Sequence, residues 1–322
     1  MRFLSAEDIQ RAVPMRAAID AVAAAFARLA TGGATVPLRT AVEMPAQDAV
    51  SLFMPAYLSP SADEAAALGM KIVSIFPHNL ANHQLPTINA IVLLIDPQTG
   101  RPLAVMDAGY LTALRTGAGS GVATRAMARP DSKVLALFGA GAQARTQALA
   151  VCAERPIERI LIVNRSRERA ESLIEILRHD GVQADLSIAA AAAIALAAAD
   201  IVCCATSSPT PLFADADLRP GTHINAVGAF KPDMAEVPPA TVQRARLIVD
   251  QRAAAWAEAG DLIQPRDAGL ISEDHPVGEL GQLVIGQVPG RISPDQITLF
   301  KSVGNAVQDL AVAALALAQA NR

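Results

Sequence analysis

Residues 68–79 read LGMKIVSIFPHN, an apolar run with a lysine, Lys71, inside it. A lysine almost never goes fully inside a protein unless it is paired or put to use. Two arginines stand in comparable text: Arg39 in VPLRT, and Arg115 in ALRTGAG, where the glycines suggest a tight turn. Taken singly, each fits a surface charge or a structural ion pair. Together they fit a site for a small anion, with arginine as a bidentate clamp on a carboxylate and lysine as proton donor or electrostatic stabiliser. Apolar surroundings push a lysine's pKa down, which eases proton transfer near neutral pH. Other chemistries lack their residues. The histidines (His78, His83, His179, His223 and His275) form no HExxH or Cys/His cluster, so no metal site is expected, and GxSxG is absent.

A second pattern binds rather than reacts. The apolar run VLALF, 134–138, leads straight into GAGAQA, from Gly139 through Gly141, Ala142 and Gln143 to Ala144. A helical stretch follows, and a second strand ends about 25 residues on, the βαβ setting in which GxGxxG/A is a strong dinucleotide signal. Gly139 makes the tight turn, Gly141 lets a pyrophosphate approach the backbone, and small Ala144 lets helix and strand pack closely. The phosphates would then lie on the helix N-terminus, where amides and dipole favour anions. After the second strand, an acidic residue would hold a ribose 2′-hydroxyl and repel a 2′-phosphate. This chain instead has Asn164, Arg165, Ser166 and Arg167, whose guanidiniums and hydroxyl suit a phosphate. NADP(H) is therefore expected in preference to NAD(H), which stays possible.

These residues need elements to hold them. From about residue 133 strand-like runs alternate with helical ones: VLALF, ILIV (160–163), ADLSI (184–188), IVCCAT (201–206), INAVG (224–228) and LIVD (247–250). Continuous apolar strands separated by helices predict a parallel sheet covered on both faces. Before that, SAEDIQRAVPMRAAIDAVAAAFARLA reads as helix, opened by a capping-box-like Ser5 and Asp8. PLRTAVEMP, AVSLFMPAYL, LGMKIVSIFP and TINAIVLLIDPQTGRPLAVMD then read as strands, with a turn at 97–100. This half is α+β. The tail from Ser302 to Ala320 is an alanine-rich helix that can return to the first half.

Composition sets the outer limits. The chain has 322 residues, enough for two domains, and a 52% apolar fraction that supports a core without disulfide or metal. A net charge of −4 gives no reason to expect nucleic acid or an anionic membrane as partner. The cysteines, Cys152, Cys203 and Cys204, are odd in number and without CxxC, which suits buried thiols in a reducing compartment. The longest apolar stretch, IAAAAAIALAAA, is too short to span a bilayer, and the N-terminus lacks a long apolar segment. A cytoplasmic protein is expected.

The order of GMKIVSIFPHN, LPTINAIVLLIDPQTGRPLAVMDAGYLTALRTGAGS, FGAGAQA, HINAVGAFKPDMAEV, GELGQLVIG and FKSVGNAVQDL resembles the ornithine cyclodeaminase / mu-crystallin family over nearly the whole chain. The resemblance implies an α/β fold: a Rossmann-type domain, 119–301, plus an N-terminal α+β domain, 1–118 with 302–322, that binds substrate and makes a homodimer. It implies an NAD(P)(H) cofactor, a small amino or imino acid substrate, and reactions passing through an imine. It places the active-site lysine on Lys71, the substrate arginines on Arg39 and Arg115, and a cofactor-side threonine on Thr87. Further cofactor contacts fall on Thr206, Ser207, Asn225, Ala226 and Val227, and Val303 would line the substrate pocket.

One departure bears on the reaction. Family members that deaminate ornithine, and the archaeal alanine dehydrogenases like them, carry an aspartate two residues after the glycine of NAVG. Here Gly228 is followed by Ala229 and Phe230, while Asp233 sits in a Pro-Asp resembling the ketimine-reductase branch. Phe230 cannot pair the distal ammonium of ornithine, and burying that charge unpaired is costly. The expectation is NADPH-dependent reduction of a cyclic imino acid such as Δ1-pyrroline-2-carboxylate. The resemblance also allows ornithine cyclodeaminase, 2-oxo acid amination, or non-catalytic NADPH-dependent ligand binding.

Overall fold

The structure, a computed structural model, describes residues 1–320. The expected domain 302–322 therefore ends with two residues, Asn321 and Arg322, outside the described part. The chain forms two compact units: Met1–Arg115 together with the C-terminal residues from Asn305, and Thr116–Gly304.

The first unit is built on a seven-stranded sheet. Its order is Arg2–Leu4, Pro102–Asp107, Ile88–Ile95, Ala67–Ile75, Ala49–Leu58 and Ala34–Thr35, with Thr40–Met44 also pairing to Ala49–Leu58. All pairs are antiparallel except that of Arg2–Leu4 with Pro102–Asp107. Alternation along the strands separates two faces. Met54, Lys71, Val92 and Met106 stand in register and are buried. The C-terminal helix Ala306–Ala320 packs on this sheet and on the helix Met15–Ala30. The opposite face carries a second apolar row, Pro55, Met70, Leu93, Val105 and Phe3, no member of which is buried.

The single N-terminal helix expected from the sequence is two helices, Ala6–Ala12 and Met15–Ala30. Pro14 separates them, and Val13 before it is held extended (φ −120°, ψ 95°), as the proline ring requires. The capping box at Ser5 and Asp8 is formed in both directions. Arg115 lies in no turn. TGAGSGVAT is the interior of a helix, Ala108–Met127, and Gly117 serves close packing: a Cβ there would come within 2.5 Å of the Thr146 carbonyl oxygen.

The second unit is an eight-stranded, wholly parallel sheet. Its order is Asp185–Ile188, Arg159–Val163, Val134–Phe138, Ile201–Cys204, His223–Ala226, Thr298–Lys301, Arg246–Val249 and Gly278–Glu279. Both faces are buried. Leu135, Leu137 and Cys203 belong to one apolar cluster, and Ala136, Phe138 and Cys204 to the other. The strand Thr298–Lys301 was not anticipated. It inserts between two strands that precede it in sequence, and its four residues end in a lysine that is wholly buried. The chain leaves Val134–Phe138 first to one side and then to the other. That is the topological switch at which such sheets bind ligands beyond their strand ends.

Candidate active site

Within the first unit, the strand Ala67–Ile75 turns Lys71 inward under the C-terminal helix, where it is 3% exposed. Its Nζ lies 2.8 Å from Asp309 Oδ2. The other oxygen of that carboxylate accepts from Arg115 Nε at 3.0 Å, and Arg115 Nη1 donates to Gln308 Oε1 at 2.9 Å. Gln308 Nε2 closes the loop by donating to the Arg115 carbonyl. Lys71 and Arg115, far apart in sequence, are thus gathered by a single acid that sequence reasoning missed. A signal for it existed: Asp309 is the lone charge in AVQDLAVAALALAQA.

Two cations, Lys71 and Arg115, share the Asp309 carboxylate. Burial holds the Lys71 pKa down at about 8 from its ordinary 10.5, and Arg115 lowers it further; Asp309 opposes them, and Arg39 adds a smaller lowering. Arg39 is half-buried just before the strand Thr40–Met44. Arg115 beside Lys71 suits an incoming anion, and a lysine with a pKa near 8 can exchange a proton close to neutrality. Thr87, half-buried, precedes the strand Ile88–Ile95, and its carbonyl accepts from the Phe76 amide at 2.8 Å.

Within the second unit, Gly139 has φ +107°, a conformation glycine adopts freely, and a Cβ there would meet the Ala205 carbonyl oxygen at 2.5 Å. Gly141 starts the helix Ala142–Glu154 with no side-chain cap, and a Cβ on it would meet nothing within 4 Å. Gln143 Oε1 is buried without a hydrogen-bond partner among the described residues. An uncapped helix start with open space over its glycine fits a dinucleotide's pyrophosphate. Ala144 is fully buried against the sheet.

After the next strand, Asn164 Nδ2 donates to the Ser166 carbonyl, and Ser166 caps the helix Arg167–His179 by accepting from the Arg169 amide. Arg165 and Arg167 are exposed, and Arg167 pairs with Glu171 at 2.8 Å. Thr206 is half-buried and donates from both its amide and its hydroxyl to Glu236, whereas Ser207 is exposed.

Three expected cofactor contacts are constrained by burial. The Asn225 side chain is fully buried and committed: Nδ2 donates to Thr124 Oγ1 and toward Cys203 Sγ, and Oδ1 faces His223 Nε2. Ala226 ends its strand, and the Val227 amide donates to the Cys204 carbonyl. At these positions only backbone groups could serve a cofactor. Val303 is 8% exposed within the second unit's apolar core, its amide donating to Asp250 Oδ2, so its side chain is a packing element there.

Among the described residues no helix is long and apolar enough to cross a membrane. A profile described as the Ornithine cyclodeaminase/mu-crystallin family matches residues 1–321. The chain is 38% identical over 314 residues to a Delta(1)-pyrroline-2-carboxylate reductase of Bacillus cereus, covering 97% of this chain and 94% of that one. It superposes with a TM-score of 0.94, at 40% identity, on Thermococcus litoralis Delta(1)-pyrroline-2-carboxylate reductase in complex with NADH and L-proline, covering 100% of this chain and 98% of that one. An archaeal alanine dehydrogenase dimer with bound NAD matches at 31% identity and a TM-score of 0.91, covering 100% and 96%. Shared sequence, fold and length lead to one conclusion: the chain belongs to the ornithine cyclodeaminase/mu-crystallin family.

Proposed function

We propose that the protein reduces small cyclic imino acids, Δ1-pyrroline-2-carboxylate to L-proline being the type reaction, with NADPH preferred over NADH. The observation that carries this reading is the buried group in which Asp309 holds Lys71 and Arg115 together. Arg115 and Arg39 hold the substrate carboxylate and so fix the imine carbon for attack. A nicotinamide dinucleotide held by the Gly139–Ala144 loop would supply the hydride that reduces the C=N bond. Lys71 Nζ supplies the proton that leaves the product nitrogen as an amine, and its charge stabilises the changing site. Similarity to a reductase whose solved structure holds NADH and L-proline supports the substrate class. The preference for NADPH rests on Arg165, Ser166 and Arg167 after the second strand.

Phe230 favours an imine over ornithine. It is half-buried and packs against the second unit's apolar core, where it can neither pair an ammonium nor carry a proton. The deciding experiment is NADPH oxidation against a panel of cyclic imino acids, with ornithine and NAD tested alongside. Turnover of the five-membered imine supports the reading; ammonia release from ornithine with no imine turnover overturns it.

The apolar row Pro55, Met70, Leu93, Val105 and Phe3 is an uncovered sheet face of the kind that dimers bury. A homodimer through this face is part of the proposal, supported by the dimeric alanine dehydrogenase relative. A monomer in light scattering would refute it. The three cysteines are unpaired, and burial raises the pKa of Cys152 to about 11 and of Cys203 to about 12. Inert thiols of this kind suit the reducing cytoplasm.

A further inference from the structure

Glu236, in HINAVGAFKPDMAEV, and Lys301, in FKSVGNAVQDL, have no role in the proposed reaction. In the second unit they meet through Asp261. Glu236 is fully buried, and its carboxylate accepts four hydrogen bonds: Oε1 from the Thr206 amide (2.6 Å) and hydroxyl (2.9 Å), Oε2 from the amides of Gly228 (2.7 Å) and Ala229 (3.1 Å). Thr206 follows the strand Ile201–Cys204, and Gly228 follows its parallel neighbour His223–Ala226. One side chain therefore joins the loops that leave two adjacent strands. Gly139 of the dinucleotide fingerprint packs on the first of these loops, at Ala205.

A second layer holds Glu236 itself. Asp261 Oδ1 accepts from the amides of Glu236 (2.6 Å) and Val237 (2.9 Å), and its other oxygen lies 2.7 Å from Lys301 Nζ. Lys301 Nζ also donates to the Ala229 carbonyl at 2.6 Å. All three charged side chains are buried. A buried network in which every member is hydrogen-bonded rigidifies its surroundings. This one surrounds the strand ends where a dinucleotide would lie, beside the fingerprint turn at Gly139.

We infer that Glu236, backed by Asp261 and Lys301, is a positioning residue that clasps the Thr206 and Gly228 loops into the shape that receives the cofactor. The inference rests on the cofactor reading above. Geometry explains why a carboxylate is required: all four partners are donors, and only an acceptor at both oxygens satisfies them. In Glu236→Gln, whichever way the amide turns, its NH2 faces one pair of donors.

The test is direct binding of NADPH and NADH by fluorescence to the full chain, as wild type, E236Q and E236D. E236Q is expected to weaken binding of both by at least about tenfold, the usual effect of losing hydrogen bonds to a charged group, with E236D intermediate. At saturating cofactor the KM for the imine is expected to stay unchanged, and partial unfolding would instead lower the binding amplitude while leaving the Kd of the folded fraction as in wild type. Wild type binding neither dinucleotide would overturn the cofactor reading; wild type binding them and E236Q binding equally well would overturn the clasp alone. Should E236Q not fold, hydrogen exchange on the wild type decides. Protected amides at Thr206, Gly228 and Ala229 in the cofactor-free protein support the clasp, and exchange at the rate of exposed loops refutes it.

Discussion

Lys71 Nζ lies 2.8 Å from Asp309 Oδ2, an ion pair in which both side chains are 2% exposed. Because Arg115 shares the same carboxylate, Asp309 does more than neutralise Lys71: it sets the distance between the proposed proton donor and the proposed carboxylate clamp. Breaking a buried pair by removing one partner costs roughly 3–5 kcal/mol. Asp309→Asn should therefore lower stability by about that amount and turnover with it, whereas a surface change such as Asp63→Asn should move neither. Chemical denaturation and steady-state rates on both variants check this.

The pH dependence follows from the same pair. The proposed reaction uses protonated Lys71, whose pKa is lowered to about 8, mainly by burial. The kcat/KM, which reports the free enzyme, should therefore be flat below that value and fall above it, by about tenfold per pH unit. Asp309 is an influence that raises this pKa, so its loss must move the alkaline limb to lower pH. A limb that stays in place in whatever D309N protein folds would show that Lys71 is not the titrating group.

Lys71 itself should be dispensable for cofactor binding and indispensable for chemistry. Lys71→Met should lower kcat by about 10²–10⁴-fold, the range of a general acid, with NADPH affinity unchanged. Full turnover by K71M would remove the lysine from the mechanism.

The chain's text carries much of this arrangement, unevenly. The parallel sheet was legible because its strands are continuous apolar runs whose alternate residues fill two cores; even the Cys203–Cys204 pair is explained by one thiol facing each way. Lys71 was legible because a cation inside an apolar strand contradicts its surroundings. Its partner was not, since Asp309 sits on a helix at the other end of the chain and no local period links the two. The strand Thr298–Lys301 escaped for a related reason. Its lysine reads as surface until Asp261 and the Ala229 carbonyl are seen to satisfy it. Glycines misled at Arg115, where close helix packing uses the same residue that turns do.

Cofactor choice offers an independent check. Arg165 and Arg167 stand at the start of the helix Arg167–His179, and Glu171 already engages Arg167. Replacing both arginines by alanine should raise the KM for NADPH by about 10–100-fold while leaving NADH within about twofold, because only the 2′-phosphate loses charge-assisted bonds. Equal loss with both cofactors would place the arginines outside the 2′-phosphate site.

Arg115 should behave as a clamp and not merely as a charge. Its guanidinium is fixed by Asp309 and Gln308 along two directions, a geometry that the single ammonium of lysine cannot copy. Arg115→Lys keeps the charge yet should raise the KM for the imino acid by at least about tenfold. The same variant should leave the Kd for NADPH unchanged, since the proposal gives the residue a substrate contact and no cofactor contact. A five-membered imine lacking the carboxylate separates the two contributions: wild type and R115K should then turn it over at equally poor rates, the clamp having nothing to hold. Were R115K to lose activity equally against imines with and without the carboxylate, its effect would lie in the packing around Asp309 and not in substrate recognition.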